Sequence, residues 1–153
     1  MSAIELFDTS RVGCNKNGEW VSLAYLKTMQ SGHAWYEEHG YQISTESKVS
    51  RAIQKHELRN YSLSKLKDEL TSWHGFKEFN PFYQEFKRQS HSDKFADFMT
   101  WIWDNHCDKF RFIQALSERH SGLRKYQFAY MYRFRKNLKL ECSQRTKCFM
   151  NNP

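Results

Sequence analysis

Only eight of the 153 residues are Val or Ile, whereas 25 are aromatic (12 Phe, 8 Tyr and 5 Trp) and 11 are Leu. β-Branched aliphatic side chains are what a large sheet packs best across its pleat, so a chain this poor in them is ill supplied for one. Six Gly and two Pro are also too few for the many tight turns of a sandwich or barrel. The apolar content is nonetheless far above that of a disordered chain, and the length suffices to bury a core without disulfide or metal staples. These limits predict a mainly α, compact helical domain. A small N-terminal β element fits beside it, because residues 3–8, AIELFD, read as a short strand.

Periodicity places the helices. Trp20, Leu23, Ala24 and Lys27 predict a helix over 20–30, interrupted at Ser31-Gly32. A short helix from His33 to His39 ends at Gly40, and another over 46–58 puts Val49, Ile53 and His56 or Glu57 on one side. Ser62 is placed to cap a helix carrying Leu63, Leu66, Leu70 and Trp73 at a 3–4 spacing, with Tyr61 and Leu66 at the staple positions. Asn80-Pro81 reads as an N-cap and first helical residue, with Phe82, Tyr83 and Phe86 turned to the core. Ser92 precedes Phe95, Phe98, Met99 and Ile102, and Phe110, Ile113 and Leu116 continue that pattern to Ser121-Gly122. The residues expected to be buried are Leu63, Leu66, Leu70, Trp73, Phe95, Phe98, Met99 and Ile102.

Charge divides the chain where periodicity does not. Residues 1–121 hold 16 Lys and Arg against 16 Asp and Glu, a net of zero. Residues 122–153 hold eight cations and one acid, Glu141, so the whole excess of +7 sits there. The division predicts a charge-neutral helical core over 1–121 and a basic, aromatic segment over 122–153 packed on it. Such a segment attracts polyanions or acidic partners. The expected contact residues are Arg124, Lys125, Arg133, Arg135, Lys136 and Lys139, with Tyr126, Tyr130 and Phe134 anchoring them. Within it, Tyr126, Phe128, Tyr130, Tyr132 and Phe134 alternate as on a strand. A run of 20 residues from Gly122 to Glu141 without an internal Gly or Pro favours a helix instead. As a strand, alternating aromatic and basic residues would make a stacking surface for single-stranded nucleic acid.

Residues 34–41, AWYEEHGY, carry a different signal. Ala34, Tyr36, Glu37, Gly40 and Tyr41 resemble the late helix of the GCN5-related N-acetyltransferases. Upstream, Arg11, Gly13 and Gly18 stand roughly where that family has its pyrophosphate loop, though at a different spacing, so the resemblance covers residues 8–43. It implies acetyl-coenzyme A as cofactor and Tyr36 as the general acid protonating the leaving thiolate. The family needs several strands before this motif, and only 33 residues precede it. The chain also resembles small proteins of the large DNA viruses of algae and amoebae that combine such a segment with a basic, helical C-terminal part. That resemblance implies a virion-associated structural protein.

The four cysteines, Cys14, Cys107, Cys142 and Cys148, are scattered, which predicts reduced thiols and no metal site. In the run from Trp101 to Cys107, Asp104, His106 and Cys107 are close in sequence. Neighbours on a helix point about 100° apart and do not readily form a nucleophile–base bond. No signal peptide or apolar span is apparent, so an intracellular protein with no membrane contact is expected. Two functions stand against each other. One is a non-enzymatic binding or structural protein that needs no cofactor and holds nucleic acid or an acidic partner in an assembly. The other is a shortened acetyltransferase.

Overall fold

The computed structural model describes residues 3–7, 10–33, 42–43, 48–126 and 133–137, and the protein is mainly α. The chain opens with β1 (Ala3–Phe7) and a hairpin of β2 (Arg11–Gly13) and β3 (Trp20–Ser22). Helix α1 (Leu23–Ser31) and the two-residue strand β4 (Gln42–Ile43) follow. The body of the domain is α2 (Lys48–Arg59), α3 (Leu63–Leu70), α4 (Phe76–Gln89), α5 (Phe95–His106) and α6 (Phe110–Arg119). Two 3-10 turns, Cys107–Lys109 and Gly122–Tyr126, flank α6, and β5 (Arg133–Asn137) is the last described element.

The leucine and phenylalanine spacing does what it predicts. Leu63, Leu66 and Leu70 of α3 and Phe95, Phe98, Met99 and Ile102 of α5 are fully buried, while Trp73 is half-buried against them. Phe110, Ile113 and Leu116 bring α6 into the same core. Phe98 stands at its centre, edge-on to Phe79 (5.6 Å) and to Phe86 (5.5 Å), a geometry that adds to area burial.

One junction sets how α3 meets α5. Leu63 N–H donates to the Asp93 carbonyl (2.7 Å) and Phe95 N–H to the Tyr61 carbonyl (3.0 Å). The Asp93 carboxylate accepts from Ser62 Oγ (2.6 Å), Ser64 N (3.0 Å) and Ser64 Oγ (2.9 Å), so it caps the start of α3 from outside. Burial alone would raise its pKa, but these hydrogen bonds and nearby Lys87 hold it below the usual carboxylate value.

Several local expectations are corrected. Trp20–Ser22 is a strand, not the start of a helix: the segment pairs with β2, and Ser22 Oγ accepts from Tyr25 N (3.2 Å) to cap α1 one residue later. Over residues 51–59 of α2 the buried positions are Leu58 and Lys55, while Ile53 is 53% exposed and His56 and Glu57 face outward; the Val49 side chain lies outside the described residues. Helix α4 begins at Phe76, not at Pro81, so the proline lies inside it. Its core line is therefore Phe79, Tyr83 and Phe86, with Phe82 only half-buried. The 20-residue run after Gly122 does not form one helix: a 3-10 turn over 122–126 and strand β5 lie within it. The expected helix over 33–39 lies outside the described residues.

The largest correction concerns the thiols. Cys14 and Cys107 form a disulfide, with their Cα atoms 5.6 Å apart across a sequence separation of 93. The hairpin folds over the corner between α5 and α6, and Cys107 sits at that corner. A cross-link of this span restrains the unfolded chain, typically worth about 2–4 kcal/mol. Cys142 and Cys148 lie outside the described residues. Among the described residues no helix is long and apolar enough to cross a membrane.

Candidate functional site

The basic segment starts from a fixed base. Leu123 and Tyr126 are buried in the helical core, and the 3-10 turn between them leaves Arg124 and Lys125 exposed. Two carboxylates from the helices hold this turn. Glu69 of α3 accepts from Gly122 N (2.9 Å) through one oxygen and from the Tyr61 hydroxyl through the other. Glu57 of α2 accepts from the Tyr126 hydroxyl at 2.7 Å. The two tyrosine rings meet edge-on at 6.4 Å. Burial, together with the hydrogen bond and charge of Glu57, raises the Tyr126 phenol to about 12, and burial and Glu69 raise Tyr61 further. Both phenols are therefore fixed donors. A Cβ at residue 122 would collide with the Tyr61 hydroxyl, which explains glycine there. Lys125 Nζ lies 5.1 Å from the Tyr126 ring centroid, a cation–π contact that keeps the ammonium at the surface.

Arg133, Arg135 and Lys136 lie on β5, the middle strand of a three-stranded antiparallel sheet in the order β1-β5-β4. The register sets Phe7 opposite Arg133, Leu6 opposite Phe134, Glu5 opposite Arg135 and Ile4 opposite Lys136, with Gln42 and Ile43 facing Arg135 and Phe134 from the other side. Strand alternation places residues 133 and 135 on one face and 134 and 136 on the other. Glu57 and Glu69 stand at the turn, and Glu5 is in register with Arg135. Lys139, Tyr130 and the acetyltransferase-like tyrosine, Tyr36, lie outside the described residues. Among the described residues every strand pairing is antiparallel.

A groove not singled out in the sequence runs along α6. Its larger lobe, about 920 Å³, lies between Glu78 and Phe82 of α4, Glu19 of the hairpin, Asp108 and Lys109 of the corner, and Phe112, Ala115 and Glu118 of α6. A smaller lobe of about 350 Å³ shares Ala115 and Glu118 and ends on Arg119 and Arg124. Glu118, common to both, is raised to about 6 by burial despite a hydrogen bond from Gln114 Nε2 (3.4 Å). Phe112 was the available signal. It falls off the line of Phe110, Ile113 and Leu116, and its ring, 47% exposed, lies on the outer side of α6.

The cluster from Trp101 to Cys107 is not a nucleophilic site. Cys107 is bonded to Cys14, and His106 Nε2 lies 3.3 Å from Glu85. Among the described residues no group of three or more His, Cys, Asp or Glu stands close enough to hold a metal ion. What the fold and these surfaces define is a mainly helical domain carrying a basic turn and strand. No family model matches the chain, and no curated protein or solved structure matches it.

Proposed function

We propose that this protein is a non-enzymatic nucleic-acid-binding protein, contacting phosphates through Arg124, Lys125, Arg133, Arg135 and Lys136. The observation that carries this reading is the segregation of charge: the first 121 residues are neutral, and the entire excess of +7 follows. Two structural features support it. Arg124 and Lys125 are exposed on a turn whose backbone is anchored at both ends, so little ordering is lost when a phosphate docks. The basic strand is the middle one of an antiparallel sheet, which places Arg133 and Arg135 together on one face and Lys136 beside Phe134 on the other, so each face carries a cation for a phosphate. Such a protein would serve inside an assembly, a virion among them. An acetyl-transfer reading would rest on Tyr36, and no feature of the described residues adds to it.

The test is binding of a fluorescent single-stranded oligonucleotide across a salt series. Affinity should be nearly sequence-independent and fall steeply with salt. The Arg124→Ala/Lys125→Ala variant should fold normally and lose roughly 1.4–1.8 units of the log–log salt slope, near 0.7–0.9 per phosphate contact. Arg133→Ala/Arg135→Ala/Lys136→Ala should lose about two to three units. Absent binding at low salt, or unchanged slopes, would move the partner to an acidic protein surface. A thermal shift with acetyl-coenzyme A and none with oligonucleotide would favour the acetyltransferase.

A further inference from the structure

We propose that the Cys14–Cys107 disulfide is a redox latch that pins the hairpin tip and, with it, one wall of the groove along α6. The root and the tip of this hairpin are held differently. At the root, Val21 is buried in the core, Val12 packs against it, and Leu23 N–H donates to the Ser10 carbonyl (3.0 Å). Beyond β2, residues 15–20 are all exposed, and Cys14 is the one buried residue of the tip. The tip closes on itself through Cys14 N to the Glu19 carbonyl (2.7 Å) and Gly18 N to the Cys14 carbonyl (2.9 Å). To the helices it is held by the disulfide, by Lys16 Nζ, which donates to the Asn105 carbonyl at 2.7 Å, and by a long contact of Asn15 Oδ1 with Cys107 Sγ (4.0 Å).

The consequence reaches the groove because both ends of the latch border it. Glu19 closes the turn that starts at Cys14, and Asp108 and Lys109 follow Cys107 directly, and all three line the larger lobe. Reduction by a dithiol breaks the Sγ–Sγ bond and leaves two thiols. The two electrons and two protons come from the dithiol, which becomes a disulfide. The tip then keeps only exposed polar contacts to the helices, the Lys16 bond and the Asn15–Cys107 contact, while the root and the fully buried Phe110 and Ile113 of α6 are unaffected. Because Cys14 and Cys107 are 2% and 6% exposed, the attacking thiolate reaches the sulfurs only through a local opening of the loop around the intact bond, which the Lys16 hydrogen bond opposes, so Lys16 also controls how fast the latch is released.

The experiment uses the full chain with Cys142 and Cys148 replaced by Ser, so that only this pair exchanges. Peptide mapping without reductant should recover Cys14 joined to Cys107. Hydrogen exchange before and after dithiothreitol should show the peptide over residues 13–19 exchanging at least ten times faster when reduced, with peptides from α5 and α6 unchanged. Cys14→Ser should show the fast pattern with and without dithiothreitol, and Lys16→Ala should be reduced several-fold faster than the parent. Two free thiols in the isolated protein would overturn the latch. So would unchanged exchange at 13–19, faster exchange throughout the core (a structural staple), or a reduction rate that ignores Lys16→Ala.

Discussion

Helix α3 gives the core Leu63, Leu66 and Leu70, and α5 meets it with Phe95, Phe98, Met99 and Ile102, all fully buried. The basic turn over 122–126 gives the same core only Leu123 and Tyr126, and relies for the rest on Glu57 and Glu69 accepting from two phenols and a backbone N–H. The helices are held by area removed from water, which is strong and non-directional. The turn is held by a few directional bonds, each worth much less, but these fix where Arg124 and Lys125 stand. One region carries the stability and the other carries the aim.

That contrast can be broken at its strong end first. Phe98→Ala removes the ring on which Phe79 and Phe86 converge, and should cost about 3–5 kcal/mol in urea unfolding. A loss under 1 kcal/mol would mean that the core is not organised around this ring. At the other end, Tyr126→Phe keeps the buried ring and deletes only the bond to Glu57. Glu57 is exposed and rehydrates, so the cost should be about 0.5–1.5 kcal/mol. The same variant should loosen the turn in hydrogen exchange while leaving α3 and α5 protected. A loss as large as that of Phe98→Ala would erase the distinction.

The smallest effect depends on pH. The Glu118 carboxyl is raised to about 6 from a model-peptide value of 4.5 because burial penalises its charged form. Its neutral form is the one the fold prefers, so that advantage is present below about pH 4.5 and is lost as pH rises through 6. Glu118→Gln should therefore raise the melting temperature slightly at pH 7.5 and leave it unchanged at pH 4. Equal effects at both values would show that the carboxyl is solvated and the groove open around it.

The helical part of this was readable from residue order because each helix repeats one demand, an apolar side chain every three or four positions. Leu63, Leu66 and Leu70 state it three times, so a single exception matters little. The failures came where one residue decides. Asn80-Pro81 has the form of a helix start, yet a proline is tolerated inside a helix when the lost hydrogen bond is near its first turns and Phe79 and Tyr83 continue on both sides. The side of α2 that carries Ile53 does not face the core, because the face of the helix is chosen by where Leu58 lands. Of the candidate site, Arg124 and Lys125 were readable from charge alone. The hydrogen bonds that hold their turn to Glu57 and Glu69, like the pairing of Cys14 with Cys107, join residues far apart in the chain, and no local pattern records them.

The order of the small sheet has a consequence for how the protein is made. Strand β1 has β5 as its hydrogen-bonded neighbour, with Ala3 registered against Asn137. At about 5–20 residues per second, a ribosome takes roughly 7–26 s to reach β5 after releasing β1. All six helices of the described residues are translated in that interval and have the time to fold around Phe98 without the sheet. Strand β1 spends the same interval as an unpaired edge on a nascent chain, the kind of surface that recruits chaperones or other copies of itself. Closure of the sheet is thus a report that translation has passed residue 137, and the basic strand is the piece that delivers it.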